Sequence, residues 1–255
     1  MTKIQYASDL HLEFRDNSRY LKYNPLTVSG TILVLAGDIG YIGDDKFSNH
    51  PFWDWASDNY EQVIVVPGNH EFYKGYDLDL MNRGWSRSIK SNVTCFYNAV
   101  VPIGDNIELI VSTLWAKIDA KNAYLTELGV SDFRKIQAGG EPLTWQRFNQ
   151  EHNECLQFIK DSVSQSTAER IIVATHHVPS FSLMSPEFST SKLNGAFVSE
   201  LSDFVKETSI AYWIYGHSHR NINGVIGRTR CVTNQLGYIS LNEHNYFDPS
   251  KHIQI

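Results

Sequence analysis

Short apolar runs recur along the chain and are separated by polar stretches that contain turn-forming residues. The runs are rich in β-branched and aromatic side chains and are bounded by Gly, Asn, Asp or Pro, which is typical of buried strands. The pattern therefore predicts strands at residues 4–8, 31–36, 62–66, 93–101, 107–113, 171–175, 211–215 and 228–233.

Between the runs lie stretches whose apolar positions have helical spacing. The clearest is 143–163, where Phe148, His152 and Cys155 begin a repeat of three- and four-residue steps and Thr144 supplies an N-cap. The predicted helices are 50–60, 77–90, 143–163 and 196–207.

The order of these elements predicts the fold class. Strands that alternate with helices indicate an α/β core with parallel strand pairs. Residues 115–143 lack a clean period, so we expect either a cap or insertion over one end of the sheet or an ordinary surface excursion. No Pro-, Gly- or Ser-rich linker divides the chain, so residues 1–255 are expected to form a single domain.

Composition places the chain among globular proteins. Hydrophobic residues make up 42% of it and charged residues 20%, which excludes a disordered tail protein. Its apolar runs are far shorter than the ~20 residues that a membrane span needs, so we expect no membrane partner. The first ten residues have no apolar signal segment. We therefore expect a cytoplasmic protein.

Charge and cysteine usage narrow the class further. The net charge is −6 and no window holds a Lys/Arg cluster, which disfavours general nucleic-acid binding. Three widely spaced cysteines form no CxxC motif, as expected in a reducing compartment. Nothing in the sequence indicates an oligomeric state.

Five of the apolar runs end in clusters of polar side chains that can bind metal. Because sites in open α/β sheets form outside the carboxyl ends of the strands, we expect the five clusters to meet at one edge. Taken one at a time, most of these clusters could also be ordinary turns or a buried histidine pair. The prediction of a metal site therefore rests on their convergence. The clusters are Asp9-Leu10-His11, Gly37-Asp38, Gly68-Asn69-His70-Glu71, His176-His177 and Gly216-His217-Ser218-His219.

The donor chemistry of these clusters indicates the kind of metal site. Nitrogen and oxygen donors without thiolate suit Mn, Fe, Zn, Co or Ni and exclude a cysteine-based structural zinc site. Seven side chains are too many for one tetrahedral ion and suit two ions ~3.5–4 Å apart with a bridging carboxylate. In extended backbone, His217 and His219 would face the same side and could serve one metal or two. A histidine outside the coordination sphere could act as a general acid.

These motifs, in this order, resemble the full motif set of the calcineurin-like metallophosphoesterases, over residues 3 to about 240. Segments such as Ser8-Asp9-Leu10-His11-Leu12-Glu13-Phe14 further resemble a compact bacterial and phage-type branch of that superfamily. The resemblance implies a four-layer α/β/β/α sandwich of two mixed β-sheets, with a dinuclear metal site at the carboxyl-terminal ends of the strands.

The resemblance also implies a role for each motif residue. His70 would lie just outside the metals and either protonate the leaving oxygen or stabilise the pentacoordinate phosphorus. The family's ligand comes first in His-His-x-Pro, so His177 would line the substrate pocket. The implied ligands are Asp9, His11 and His219 for one metal, Asn69, His176 and His217 for the second, and Asp38 as the bridge.

One departure from the superfamily concerns the substrate. The Ser/Thr protein phosphatases carry arginines beside the Gly-Asp and Gly-Asn-His-Glu motifs, whereas here Ile39 follows Asp38 and Pro67 precedes Gly68. Phosphoprotein hydrolysis is therefore disfavoured. Arg134 and Arg220 are the candidates for contacts to phosphate, although a surface or structural ion pair explains each of them as well.

Together these observations predict a metal-dependent phosphoesterase with two divalent ions, manganese first and iron, zinc or nickel as alternatives. It would hydrolyse a small phosphate mono- or diester by attack of a hydroxide that bridges the metals. The alternatives are a non-catalytic metal-binding scaffold of the same fold and a nuclease-like member. All expected ligand types are present, which disfavours the scaffold, and no basic groove is visible, which disfavours the nuclease.

Overall fold

The computed structural model describes residues 2–255. Its helices are α1 Arg15–Tyr23, α2 Asp45–Ser48, α3 Pro51–Asn59, α4 Ala123–Gly129, α5 Asp132–Lys135, α6 Trp145–Gln165 and α7 Ser202–Glu207. Its strands are β1 Lys3–Ala7, β2 Ile32–Ala36, β3 Gln62–Val66, β4 Trp85–Lys90, β5 Val93–Tyr97, β6 Ala99–Pro102, β7 Ile107–Ser112, β8 Gln137–Ala138, β9 Glu141–Pro142, β10 Arg170–Thr175, β11 Ile210–Tyr215, β12 Gly224–Ile226, β13 Thr229–Thr233 and β14 His252–Gln254.

Twelve of the strands form two six-stranded mixed sheets. The first has the order β14-β1-β2-β3-β5-β4 and the second the order β12-β13-β11-β10-β7-β6. The central strands of each sheet are parallel, and antiparallel strands β14, β4, β12 and β6 lie at the edges. Strands β8 and β9 form a separate two-stranded sheet.

The alternation of side chains along each strand produces the layers. In β2, Val34 packs between the two sheets, where Leu109 and Ile172 of the second sheet meet it. The adjacent Leu33 faces the opposite way and joins a core that includes Trp53 of α3. On the outer face of the second sheet, α6 and α7 pack in a third cluster. The predicted four-layer α/β/β/α sandwich is confirmed.

The topology gathers the predicted ligand loops. The loops after β1, β2 and β3 leave the first sheet at the carboxyl ends of parallel strands, and the loops after β10 and β11 leave the second sheet in the same way. The clusters therefore do not line the edge of one sheet. They meet where the ends of two packed sheets face each other.

The predicted helix at 77–90 is wrong. A single 3₁₀ turn covers Leu78–Leu80, Gly84 turns with a φ of +80°, and Trp85–Lys90 is strand β4. The strand pairs antiparallel with β5, so the backbone hydrogen bonds of the sheet outweigh the weak helical spacing of this stretch.

Two other predicted elements differ in extent. The single strand at 93–101 is two strands, because Asn98 has a φ of +47° and sends β5 into the first sheet and β6 into the second. The helix at 196–207 is helical only over Ser202–Glu207. By contrast, the helix at 143–163 is confirmed as α6, and the Thr144 side chain caps it by accepting a hydrogen bond from the Arg147 N–H.

The segment 115–143 holds α4, α5 and the β8–β9 ribbon. Residues 129–132 and Lys135 in this segment lie along the wall of a cleft at the strand ends. Within residues 2–255, no helix combines the length and the apolar character that crossing a membrane would require.

Candidate metal centre

The loops that carry the predicted ligands have unusual backbones. Asp9, His11, Asp38, His217 and His219 all have positive φ values, between +48° and +74°. Non-glycine residues rarely adopt this left-handed conformation, and it concentrates at functional sites where the surrounding structure holds it. The expectation of an extended backbone at Gly216-His217-Ser218-His219 is therefore wrong, and the two imidazoles turn toward different groups of donors.

The first group of donors comprises Asp9, His11, Asp38 and His219, one ligand atom from each lying within 4.8 Å of the others. The Nε2 atoms of His11 and His219 are 3.1 Å apart. His219 Nε2 lies 3.3 Å from Asp9 Oδ1, and His11 Nε2 lies 3.9 Å from Asp38 Oδ2. Three of these side chains are the ones predicted to share the first metal.

The second group comprises Asp38, His176 and His217. His176 Nε2 is 3.3 Å from Asp38 Oδ1 and 3.0 Å from His217 Nδ1. The amide oxygen of Asn69 lies 3.1 Å from the same Nε2 atom. The fold thus brings together all seven predicted ligands, and the two oxygens of Asp38 belong to different groups.

Asp38 has the charge that a bridging ligand needs. Burial alone would raise the pKa of this carboxyl, but the nearby His176 and His70 hold it well below its ordinary value. Asp38 also accepts a hydrogen bond from the His70 N–H at 2.9 Å. A Cβ on Gly68 would collide with Asp38 Oδ1, so only glycine allows the two loops to approach this closely.

The four ligand histidines are oriented by their other ring nitrogen. Each outer nitrogen is within hydrogen-bonding distance of an oxygen acceptor, which selects the tautomer whose free nitrogen faces the donor group. In metal sites the outer nitrogen of a ligand histidine commonly donates to an oxygen acceptor of this kind. The pairs are His11 with Glu13 at 3.0 Å, His176 with the Ala36 carbonyl at 2.9 Å, His217 with the Ala196 carbonyl at 3.2 Å, and His219 with Glu243 at 2.6 Å.

These features fit two divalent cations. Two imidazole nitrogens that face each other at 3.0–3.1 Å repel through their lone pairs unless a cation or a proton lies between them. Carboxylate oxygens complete each group, and the donor set contains no sulfur, which matches Mn, Fe, Zn, Co or Ni.

Asn69 is held by a residue whose role the sequence did not reveal. Its Nδ2 donates to Asp132 Oδ1 at 2.8 Å, and the Tyr73 hydroxyl donates to the same oxygen at 2.6 Å. Burial raises the pKa of Asp132 despite these donors. With Nδ2 engaged in this way, Oδ1 of Asn69 is the atom that faces His176.

Glu71, the last residue of the Gly68–Glu71 motif, joins two ligand loops. It is fully buried, and burial is the main reason that its pKa is raised to about 7. Its carboxylate accepts hydrogen bonds from the backbone N–H groups of Asp38 (3.0 Å), Ile39 (2.7 Å), Gly40 (3.1 Å) and Gly68 (2.6 Å). It therefore fixes the position of Asp38 relative to Asn69.

His70 lies beside the two donor groups that share Asp38, and one atom each from His70, His11 and Glu13 form a third set within 4.8 Å of one another. Its Nδ1 is 2.8 Å from Glu13 Oε1, the same oxygen that contacts His11. Its Nε2 is 3.9 Å from Asp38 Oδ2 and 3.4 Å from the Tyr238 hydroxyl. Burial would lower its pKa, but Asp38 and Glu13 outweigh burial and raise it. His70 is therefore poised to hold a proton.

Of the three residues predicted to contact substrate, only Arg220 lines the cleft. His177 is fully buried behind His217, with ring centroids 4.2 Å apart, which is not the position of a residue that lines a pocket. Arg134 donates to the Leu128 carbonyl at 2.8 Å and lies outside the cleft wall. Arg220 donates to Glu187 at 2.6 Å.

The cleft over the donor groups has a volume of about 390 Å³. Lys135, which the sequence analysis did not select, lies on its wall, with its Nζ 4.7 Å from the centre of the Tyr73 ring. An exposed lysine carries no local signal of function, so only its position reveals it. Other residues of the wall are Phe14, Asn69, His70, Asp132, Arg220 and Tyr238.

Glu243, which holds the outer nitrogen of His219, provides a test of this orientation. We expect Glu243→Gln to weaken metal binding at the first group by about 10–100-fold, because an amide holds His219 Nδ1–H less strongly than a carboxylate does. Metal content measured after dialysis against buffered free Mn²⁺ would report the change. Glu207→Gln, at an exposed helix end, is the matched control. Equal metal affinity in both variants would contradict the assignment.

Comparisons with known proteins agree with this geometry. Residues 2–221 match a family model described as calcineurin-like phosphoesterase. An uncharacterized protein of Acanthamoeba polyphaga mimivirus is 30% identical over 281 residues, a match that covers 100% of this chain and 97% of the relative. Glu243 lies beyond the residues that the family model matches.

Two solved structures resemble the fold. A phosphopantetheinyl hydrolase from Mycobacterium tuberculosis has a TM-score of 0.71 at 15% identity, covering 98% of this chain and 95% of its own. A dimetal phosphatase from Danio rerio has a TM-score of 0.53 at 12% identity, covering 92% and 87%. At these identities the likeness concerns the architecture of the chain.

Proposed function

The chain belongs to the calcineurin-like phosphoesterase family, and from this premise we propose that it hydrolyses a small phosphate ester at the two donor groups that share Asp38. The main support for this proposal is the orientation of four histidines. Each has one ring nitrogen held by an oxygen acceptor, so the other ring nitrogen is free and faces the remaining donors. A histidine cluster that served only packing would not need this orientation.

In the proposed site, Asp9, His11 and His219 hold one ion, and a second set holds the other. A donor set of nitrogen and oxygen suits Mn, Fe, Zn, Co and Ni, and manganese is the ion that we propose first. Bound ions supply Lewis acidity toward the phosphoryl group and lower the pKa of water. The second set is Asn69, His176 and His217, and Asp38 serves both ions.

His70 is the proposed general acid. Glu13 accepts a hydrogen bond from Nδ1, so Nε2 is the atom that would deliver a proton to the leaving oxygen, and the neighbouring Asp38 and Glu13 carboxylates raise the pKa of the ring. Lys135 and Arg220 on the cleft wall are proposed to attract the phosphate. The cleft volume of about 390 Å³ supports a small substrate, with residues 129–132 as one wall.

One plate assay tests the proposal. Metal-free protein is loaded with Mn, Zn, Ni or Fe(II), and turnover of p-nitrophenyl phosphate and bis-p-nitrophenyl phosphate is measured, with Asp38→Ala as the blank. Metal-dependent turnover of either ester supports the proposal, and the preferred ester distinguishes a phosphatase from a phosphodiesterase. A protein that binds two metals and turns over neither ester would contradict the proposal and favour a scaffold.

The role of Glu13 predicts a pH effect. A protonated His70 is needed, so activity is present below its pKa and lost as the pH rises through it. Because the Glu13 carboxylate raises that pKa, Glu13→Gln is expected to move the alkaline limb of kcat/KM to lower pH. The pH profile with phenyl phosphate measures this shift, and the exposed Glu61→Gln serves as control. An unmoved alkaline limb would argue against the pairing.

A further inference from the structure

A second concave region lies next to the metal centre, between α1 and α3. It consists of two adjoining cavities of about 290 and 930 Å³, which share Arg15, Ser18 and His50 on their walls. We call the combined region the α1 trough. Volumes of several hundred Å³ are those of sites for small organic ligands.

The trough begins behind His70. Glu13, which contacts His70 Nδ1 at 2.8 Å, forms part of the wall of the smaller cavity. Tyr41, on the same wall, stacks against the His70 ring with centroids 6.0 Å apart. Phe14 lies on the wall of the metal cleft, and its chain neighbours Glu13 and Arg15 lie on the trough side. Glu13 and Tyr41 therefore separate the trough from the His70 ring, and the trough meets the cleft, into which Nε2 points, beside Phe14.

The trough is rich in cations, although the chain as a whole has a net charge of −6 and Glu13 and Asp44 also lie on its wall. The expectation that the chain has no basic groove is therefore wrong at this surface. Arg15, Arg19 and Lys22 stand at i, i+4 and i+7 on one face of α1, a helix of nine residues and so ~13 Å long. Lys46 and Lys74 lie on the smaller cavity.

Most of these cations have no acidic partner. Among residues 2–255, no carboxylate oxygen comes within 4 Å of the side-chain nitrogens of Arg15, Arg19, Lys22 or Lys46, and only Lys74 is paired, with Asp44 at 2.8 Å. A row of unpaired cations on a concave surface attracts an anion that is longer than a single phosphate.

The far end of the trough is aromatic. The rings of Phe52 and Trp55 are 5.7 Å apart at its wall, and Tyr23 is 69% exposed beside them. Aromatic faces flanked by arginines bind bases by stacking, with cation–π contributions from the guanidinium groups. A ligand with an acyl chain could contact the apolar surface, but it would leave most of the cations in this row without a phosphate partner.

We propose that the α1 trough binds the leaving half of the substrate and that this half is a nucleotide. The inference rests on the proposed function, because His70 defines the leaving side. The substrate class is then a short 5′-phosphorylated oligonucleotide. Hydrolysis adds one water across the P–O bond. The water oxygen bonds to phosphorus as the bond between phosphorus and the 3′-oxygen breaks. The leaving 3′-oxygen takes a proton from His70, and the proton that the water releases restores the protonated imidazole. The row on α1 holds the 5′-phosphate of the leaving half.

The test compares two dinucleotides, pApA and ApA, which differ only in the 5′-phosphate on the leaving half. With the manganese-loaded full chain, we expect kcat/KM to be about tenfold higher for pApA, which is the size of one charge-assisted contact. The double variant Arg15→Ala/Arg19→Ala is expected to lose this preference while its metal content stays unchanged. Arg228→Ala, an exposed arginine in the β12–β13 turn, should keep the preference.

The outcomes separate this inference from the proposed function. Equal kcat/KM for the two dinucleotides in the parent chain, or a preference that survives the double variant, overturns the trough assignment even when p-nitrophenyl phosphate is turned over. Absence of metal-dependent turnover of every ester contradicts the proposed function itself. A thermal denaturation midpoint equal to that of the parent chain confirms that the double variant is folded.

Discussion

Asp38→Ala is expected to lower metal-dependent turnover by on the order of 10³-fold or more. Asp38 contributes one oxygen to each donor group, at 3.3 Å from His176 Nε2 and 3.9 Å from His11 Nε2. Its removal therefore weakens both ion sites together and takes away the negative charge that the surrounding histidines face. Turnover of the preferred p-nitrophenyl ester and metal content by elemental analysis measure the effect.

The matched control for this variant is Asp203→Ala, an exposed aspartate on α7 that makes a surface ion pair with Lys206. The control should keep both metal content and rate. Full activity of Asp38→Ala with two bound metals would show that Asp38 is not the bridge. Loss of one metal alone would mean that the carboxylate serves a single ion.

His70→Ala is expected to lower the rate by about 10²–10⁴-fold while both metals remain bound. His70 Nε2 is 3.9 Å from Asp38, and its Nδ1 is held by Glu13, so the ring lies beside the two donor groups that share Asp38. Since a general acid matters most when the leaving oxygen is basic, the loss should be larger for phenyl phosphate than for p-nitrophenyl phosphate.

Metal content separates the two possible roles of His70. Elemental analysis of His70→Ala that finds no metal would make it a ligand and refute the general-acid role. An equal loss for both esters would mean that His70 supports the metal site or the phosphoryl group rather than the leaving oxygen. His252→Ala, an exposed histidine in β14, controls for the loss of an imidazole.

Two residues of the site that the sequence did not indicate, Glu243 and Asp132, lie far along the chain from the side chains that they hold. Glu243 contacts His219 across 24 positions, and Asp132 contacts Asn69 across 63. No local spacing signals such a pair. Glu13 is different, because it follows His11 by two residues, and the Asp-x-His-x-Glu pattern carries a signal that could have identified it.

The errors in the predicted elements have the same origin. The stretch 77–90 has a weak helical period, but its backbone groups pair with β5, a partner that the local sequence does not specify. His177 directly follows a predicted ligand, yet the turn after β10 sends it behind His217, into the interior.

By itself the sequence determined the α/β class, and the resemblance of its motifs to a known family predicted the four layers, the seven candidate ligands and His70. The signals behind these predictions are local: apolar alternation sets which residues face the core, and polar clusters follow the ends of the strands. Tertiary structure alone decided that the clusters of two different sheets meet, that Glu243 and Asp132 hold His219 and Asn69, that His177 is buried, and that the α1 trough exists. Each of them depends on which distant surfaces pack together, and the free energy of that packing is summed over the whole core rather than encoded in any short segment.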